Sequence, residues 1–573
     1  MRRQRRSTKL LALTLGLVLF GAACGNDDDS GGGTTTTGGA TETTVEGAPG
    51  GTLTVAGEQE HTSFNWVNSE HNAAWTSYFM QLVWPSATIF SPEGEPVENS
   101  EFVSYELTSE DPQVVTYTVN EDAVWSDGEP ISLEDFQFTW RSQNGKEKST
   151  EVDPDTGEPL PLFNAADTTG YQDITSVEAG DDDNTIVVTY ENKFADWKAL
   201  FSPILPLHAF KAAGGGDEVV GFATGFNIDT VDLANVVSGA WYSVTDQQIG
   251  TSLTLDRNDS YWGKPGNLDE IVIRWITDAT QEPAALANNE ADVAFPQAQI
   301  DLVQQTEGIP GIETFVGFGT FWEHIDFNFA NPHLAKVEVR TAIAHAIDRS
   351  EVVERLPAQF DPSAEVLNNR MFFPASSAYE PHGEDEYGAQ DIDGAKALLE
   401  SAGYTLGADG IYAHPTDGKL SLRFTWRDPN PRREQTFQLV QSQLKEAGIE
   451  VNDARAPDFT FLDTGDFDIA LFGWTGGTTL AGQVAIYSTD GGNNNGKYSN
   501  SEVDQLLDQS DEELDEDTRT DLLNQVDTIL WKDMPTIPMF QVPEFLAWRD
   551  TVSNVSYNGY QGFTWNAEKW SVA

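Results

Sequence analysis

The chain has 573 residues, enough for two or three domains that each bury a core. Its 92 acidic residues outnumber 32 basic ones, and a formal charge of −60 excludes the basic footprint that nucleic-acid binding needs. That charge reads as a solvated surface suited to solubility or high salt, or alternatively as a field that attracts cationic ligands. A single cysteine excludes an intrachain disulfide, so the fold must rest on burial.

At the amino terminus Arg2, Arg3, Arg5, Arg6 and Lys9 precede a short apolar run, Leu10 to Phe20. The run is too short to span a bilayer comfortably and reads as a secretory signal over residues 1–23. Gly21-Ala22-Ala23 followed by Cys24 resembles a bacterial lipobox, which implies lipidation of the Cys24 thiol. Gly21 departs from that pattern, which usually has a larger apolar residue there; an ordinary cleaved signal with an incidental cysteine is the alternative. Residues 24–50 are mostly Gly, Thr and Asp and are expected to form a flexible tether. No later stretch is long and uncharged enough to suggest a second anchor.

Further along, Gln113 to Val119 alternates as a strand does. Ser132 is placed to cap a helix with Asp135 as its box partner, and Phe136 and Trp140 then share a face. Gly145 to Gly170 is polar and turn-rich, a surface insertion. Ile186 to Tyr190 predicts another strand. One longer helix is predicted between Val337 and Leu356, buried through Ala342, Ile343, Ala346 and Ile347, with Asp348-Arg349 as a local ion pair. Helices follow at Gly394 to Ser401 and Arg432 to Ala447. Gly448 stops the second, and Ile449 and Val451 start a strand. The alternation with Gly/Pro punctuation points to a mixed α/β fold.

Catalytic patterns are missing from the sequence. There is no H-E-x-x-H, no second cysteine for a zinc site and no G-x-S-x-G elbow. Asp153-Pro154-Asp155-Thr156-Gly157-Glu158 has the wrong spacing for a calcium loop, and Gly214-Gly215-Gly216 lacks the lysine of a phosphate loop. With 92 acids, carboxylate pairs arise by chance. The expectation is a protein that is not an enzyme and has no cofactor or metal. The 16 Trp, 15 Tyr and 31 Phe instead suit an aromatic-lined cleft.

Several blocks resemble the family 5 extracellular solute-binding proteins. They are Gly51 to Val55, Val124-Trp125-Ser126-Asp127-Gly128 with Ser132 to Phe136, Leu253 to Asn258 with Tyr261-Trp262-Gly263, and Leu268 to Ile271. Asp326-Phe327-Asn328, Val339 to Ile343, Ala346 to Arg349, Phe467-Asp468, Gly473-Trp474 and Ile537 to Phe540 complete the series. Any one block is weak; their order and spacing are specific. Most of their residues read as scaffold, with Trp125 and Trp140 in a core and Tyr261 and Trp262 at a domain seam.

The resemblance implies a periplasmic-binding-protein-like type II fold: two lobes with a hinge and an extra inserted α/β domain. The implied division is 51–70, 206–315 and 540–573 for lobe I, 71–205 for the insert and 316–539 for lobe II. It implies ligand contacts at Gly473, Trp474, Thr475, Phe540 and Gln541. Phe64, Asn65, Trp66, Phe321 and Trp322 are added by their position at candidate strand ends, where core packing is an equal alternative. Gly477 stands where oligopeptide binders of the family carry the acid that pairs with a peptide amine; Asp463, Asp466 and Asp490 are nearby substitutes.

The expected role is a monomeric, lipid-anchored, extracytoplasmic protein that delivers an extended solute, foremost an oligopeptide, to an ABC permease. The membrane is met only through the lipid. The alternative keeps the fold and assigns it to cell-envelope glycolipid assembly. Asp135-Phe136…Trp140 and Asp196-Trp197-Lys198-Ala199-Leu200-Phe201 are similar to blocks in actinobacterial lipoproteins, one group of which has that role.

Overall fold

Ten strands, labelled here in chain order, join into one sheet in the computed structural model, which describes residues 49–92, 94–152, 157–476, 480 and 482–573. They are β1 (Thr52–Gly57), β2 (Tyr242–Gln248), β3 (Ser252–Arg257), β4 (Glu270–Trp275) and β5 (Val293–Ala294). β6 (Ile312–Phe327), β7 (Ser421–Thr425), β8 (Glu450–Asp453), β9 (Ile469–Thr475) and β10 (Thr536–Arg549) complete it. The spatial order is β2-β3-β4-β1-β5-β10-β6-β9-β7-β8.

The two long central strands decide the architecture. β6 and β10 run antiparallel and pass from one hydrophobic core into another. Leu546 of β10 packs with Leu53, Val55, Leu255, Ile271 and Trp570. At the other end Ile325 and Phe327 of β6 and Ile537 and Phe540 of β10 pack with Ile343, Phe424, Leu444 and Ile469. Two lobes joined through a hinge follow from this, since each core closes around its own set of strands.

Proline and glycine shape the crossing. Phe318 pairs with Pro543, and the next pair is Trp322 with Gln541, so Gly319 to Phe321 stand opposite Val542 alone. A second irregularity separates Glu323–Phe540 from His324–Pro538. Both lie beside a proline of β10, which has no N–H to give the ladder; bulges are where a strand tolerates it. The Gln541 side-chain amide donates to the Gly319 carbonyl at 2.7 Å and satisfies one group the bulge sets free.

Residues 103–190 add an antiparallel sheet in the order 103–110, 113–119, 185–190, 174–179, covered by the helix Leu133–Gln143. Its Val115, Tyr117, Phe136 and Val188 belong to the same core as Leu53 and Val55. Asp135 is the knot of this region. It accepts from Ser132 N at 3.0 Å, Trp125 Nε1 at 3.1 Å and Leu207 N at 2.9 Å, which ties the helix start, the buried tryptophan and the first residue of the helix Leu207–Ala213 together. The strands read at 113–119 and 186–190 are present, and the turn-rich stretch carries an exposed hairpin whose strands are 148–152 and 159–161.

The helix starting at Arg432 runs over Pro431–Glu446. Pro431 occupies its first turn, Asn430 accepts from Arg433 N at 3.0 Å, and Gly448 follows its end at φ +78°. The single helix expected over Val337 to Leu356 is two, Val337–Ala346 and Arg349–Arg355. The break has a local cause: Ile347 is extended, and the Asp348 carboxylate caps the second helix through Glu351 N at 2.9 Å. Asp348 and Arg349 do not form the expected ion pair. Arg349 is buried, donating to the carbonyls of Leu367, Pro538 and Tyr387 and to Asn368 Oδ1.

Candidate ligand cleft at the hinge

Parallel strands β1, β4 and β5 of the first lobe end toward the hinge, as does β9 of the second. Ligands of open α/β sheets sit at such carboxyl ends. On the second-lobe side the register gathers seven residues marked in the sequence. Thr475 pairs with Phe321, Trp474 with Trp322 and Gly473 with Glu323, while Gln541 and Phe540 of β10 face Trp322 and Glu323. Four of them keep exposed surface: Gly473, Trp474, Thr475 and Phe321. Phe540 is fully buried in the second core, Trp322 lies against His324 with ring centroids 4.6 Å apart, and Gln541 spends its amide on Gly319.

Phe64, Asn65 and Trp66 make their contacts elsewhere in the first lobe. Phe64 is buried against His61, Asn65 Nδ2 donates to the Phe222 carbonyl at 2.8 Å, and Trp66 stacks on Trp84 at 5.3 Å. Gly477, Cys24 and the stretch Asp153 to Thr156 lie outside the described residues. Of the acids named as substitutes, Asp466 pairs with Arg423 before β9 begins, at the end opposite Thr475.

Glu323 lies on β6 between β9 and β10, fully buried, yet ionised. Burial pushes its carboxyl up, but Arg433 at 2.8 Å and Arg432 at 3.1 Å outweigh that and hold it at about 2. Both arginines come from the first turn of the helix Pro431–Glu446, so this pair locks that helix to β6.

The first-lobe floor was not marked in the sequence. Glu58 follows β1, Phe295 and Gln297 follow β5, and Glu544 lies on β10 beside the first bulge. Gln297 N donates to Glu58 Oε1 at 3.4 Å and bridges Glu544 through the backbone. Burial raises the Glu544 carboxyl to about 8, although the residue keeps some surface. Tyr78, Phe295, Tyr557 and Phe563 form a wall beside it, with Phe295 stacked on Tyr557 at 5.7 Å and on Phe563 at 4.9 Å. These residues are scattered over hundreds of positions, and no local pattern links them.

Tyr261 and Trp262 seal a seam: the Trp262 indole donates to the Glu101 carbonyl at 2.9 Å and the Tyr261 hydroxyl to the Glu101 carboxylate at 3.2 Å. Among the described residues no group of three His, Cys, Asp or Glu could hold a metal ion, and no helix is long and apolar enough to cross a membrane.

Two lobes of mixed α/β structure, joined by paired strands, define a type II periplasmic-binding-protein-like solute binder. The chain belongs to the bacterial extracellular solute-binding proteins, family 5, whose model matches residues 102–496. It is 29% identical over 531 residues to the oligopeptide-binding protein OppA of Mycobacterium tuberculosis, covering 90% of this chain and 84% of that one. An uncharacterized lipoprotein of Mycobacterium leprae is 25% identical over 525 residues, covering 84% and 86%. Among solved structures, the periplasmic EDTA-binding protein EppA superposes with a TM-score of 0.84 at 26% identity, covering 94% of this chain and all of that one. Proteins of this family carry solutes and do not catalyse, and this chain is an extracellular solute-binding protein.

Proposed function

We propose that the solute is an oligopeptide, bound in the hinge cleft and handed to the permease by a protein anchored through lipid on Cys24. The observation that carries the ligand class is the free end of β9. β7 pairs only with Ile469 and Ala470, so among the described strands nothing pairs with Leu471 to Thr475 on the side away from β6. An extended peptide can add there as a strand, with main-chain hydrogen bonds for affinity and pockets for alternate side chains. The name of the mycobacterial relative supports the same class, and the lipobox-like Gly21 to Cys24 together with the lipoprotein relative supports the anchor. The lobe division we propose is the one implied by the family blocks, with the protein working as a monomer. Gly473, Trp474, Thr475 and Phe321 are the second-lobe contacts.

The blocks shared with envelope-assembly lipoproteins do structural work here: Asp135 ties a helix start, and Asp196 pairs with Arg519. They therefore give no support to the glycolipid role. The test is mass spectrometry of ligand co-purified with the mature protein. Mixed peptides are expected; a glycolipid would overturn the reading. Cys24→Ser should release the protein from membranes into the soluble fraction, and retention would refute the anchor.

A further inference from the structure

The helices Ser501–Glu512 and Glu516–Asp533 belong to the second lobe. Val503 and Leu507 of the first pack with Leu523, Val526 and Leu530 of the second, whose Trp531 reaches the core of Phe424 and Ile469. The turn between them crosses to the other side of the molecule. Leu514 packs against the first core, and Ala195 N donates to the Asp511 carbonyl. Residues 194–198 go with the first lobe, because Phe194 and Trp197 share its core. Parting the lobes at the hinge therefore breaks this contact.

Asp511 is poorly served inside it. Its Oδ1 is shut off from solvent and has no hydrogen-bond partner among the described residues, although buried carboxyl oxygens are normally satisfied. The cation it feels is Arg519, and each nitrogen of that guanidinium already has an acceptor: Nη1 and Nη2 donate to Asp196, and Nε to the Ser510 carbonyl at 3.0 Å. The other groups acting on Asp511 are acids, Asp196 and Asp173 from the first-lobe side and Asp508 from its own helix. Lys198 and Glu516 pair with each other across the same contact. Burial and Asp196 outweigh Arg519 and push the Asp511 carboxyl up to about 6.

We propose that this contact is a proton-linked latch: the lobes close with uptake of one proton at Asp511, so that mild acid favours the closed form. With the lobes apart the carboxyl is hydrated and keeps its ordinary value of 3.8. Closing strips its water and sets Asp196 against it. The gain for the closed form is complete below the open value and is lost as pH rises through about 6. Between the two values the closing equilibrium changes by up to ~tenfold per pH unit. A solute that binds the closed form is then held more tightly in mild acid, whatever its chemical class.

Small-angle scattering of the ligand-free mature protein tests this. The parent should be compact at about pH 5 and expanded at about pH 7.5. Asp511→Asn, neutral throughout, should stay compact at both. Asp508→Asn removes one charge from the same helix and should keep the parent's transition. An equal transition in the parent and in Asp511→Asn, or its loss in Asp508→Asn as well, would overturn the proposal. Hydrogen exchange at Ala195 N reads the latch directly, since its acceptor is the Asp511 carbonyl. Its protection factor should fall at least tenfold over the same range in the parent and stay level in Asp511→Asn. A variant that fails to fold loses protection throughout Glu516–Asp533 too, and the parent's own profile then decides: level protection of Ala195 N would sink the latch.

Discussion

Arg519 Nη2 lies 2.8 Å from Asp196 Oδ2, and this pair bridges two parts of the molecule that do not share a core. Asp196 sits between Phe194 and Trp197 of the first core, whereas Arg519 belongs to the helix Glu516–Asp533, whose Leu523, Val526 and Leu530 pack in another cluster. Lys198 meets Glu516 at 2.8 Å, and Ala195 N donates to the Asp511 carbonyl at 2.8 Å, so the bridge has three strands of contact.

Arg519→Met should therefore leave Asp196 facing Asp511 without their shared cation. Removing one partner of a buried pair costs about 3–5 kcal/mol, and the side chains here are only 11% and 9% exposed. Solution scattering of the ligand-free variant should show a larger radius of gyration than the parent, and an unchanged one would show that the bridge does not hold the lobes together.

Glu282 makes stability fall with rising pH. Its carboxyl is raised to about 9 by burial and by Glu58. A folded value above the unfolded one means that the contribution is complete below about 4.5 and lost as pH climbs through 9. Glu282→Gln should match the parent near the bottom of that window and become progressively more stable than it toward the top. Denaturant titrations across the window check this; parallel curves would contradict it.

His61 acts in the opposite direction. It lies 4.6 Å from Phe64 and 4.9 Å from Phe79 by ring centroids, with no hydrogen bond at either nitrogen, and burial pushes its pKa down to about 3. The unfolded chain takes up the proton near 6.5, so the folded state loses stability as pH drops from there toward 3. His61→Leu should flatten the acid limb of the stability profile, by up to ~1.4 kcal/mol per pH unit in that range.

Gly473 is closed in from two sides. A Cβ there would come 2.6 Å from the Phe321 ring and 2.9 Å from the Trp322 carbonyl oxygen. Gly473→Ala should weaken retention of co-purified ligand at least tenfold. Adding Phe321→Ala should restore part of it, because the ring can be removed and the carbonyl cannot. Full retention by the single variant would place the ligand elsewhere.

Much of this was legible in sequence because it is local. The capping pattern at Ser132 and Asp135, the alternation at 113–119 and the Gly448 stop each act within a few residues. The Gly473-Trp474 block marks the end of β9, where the proposed second-lobe contacts lie. What stayed hidden is set by pairing at a distance. Pro538 and Pro543 argue against one continuous strand until β6 supplies bulges opposite them. Arg349 reads as a partner for its neighbour, yet its guanidinium is claimed by carbonyls up to 189 residues away. Glu58 and Glu282 are two acids among 92, and only the neighbouring ends of β1 and β4 bring them close enough to feel each other.

The ends of the folded chain also meet. A Cβ on Gly51 would lie 2.5 Å from the Val572 side chain, and Val552 pairs with Val572 in a two-stranded ribbon. The covalent path is thus nearly a ring that begins and closes in one lobe. Joining residues 51 and 572 with a short linker and reopening the backbone in the exposed hairpin around 157–159 should leave the hinge strands intact. A pull applied between residues 51 and 572 would shear that ribbon first and leave the second lobe unloaded.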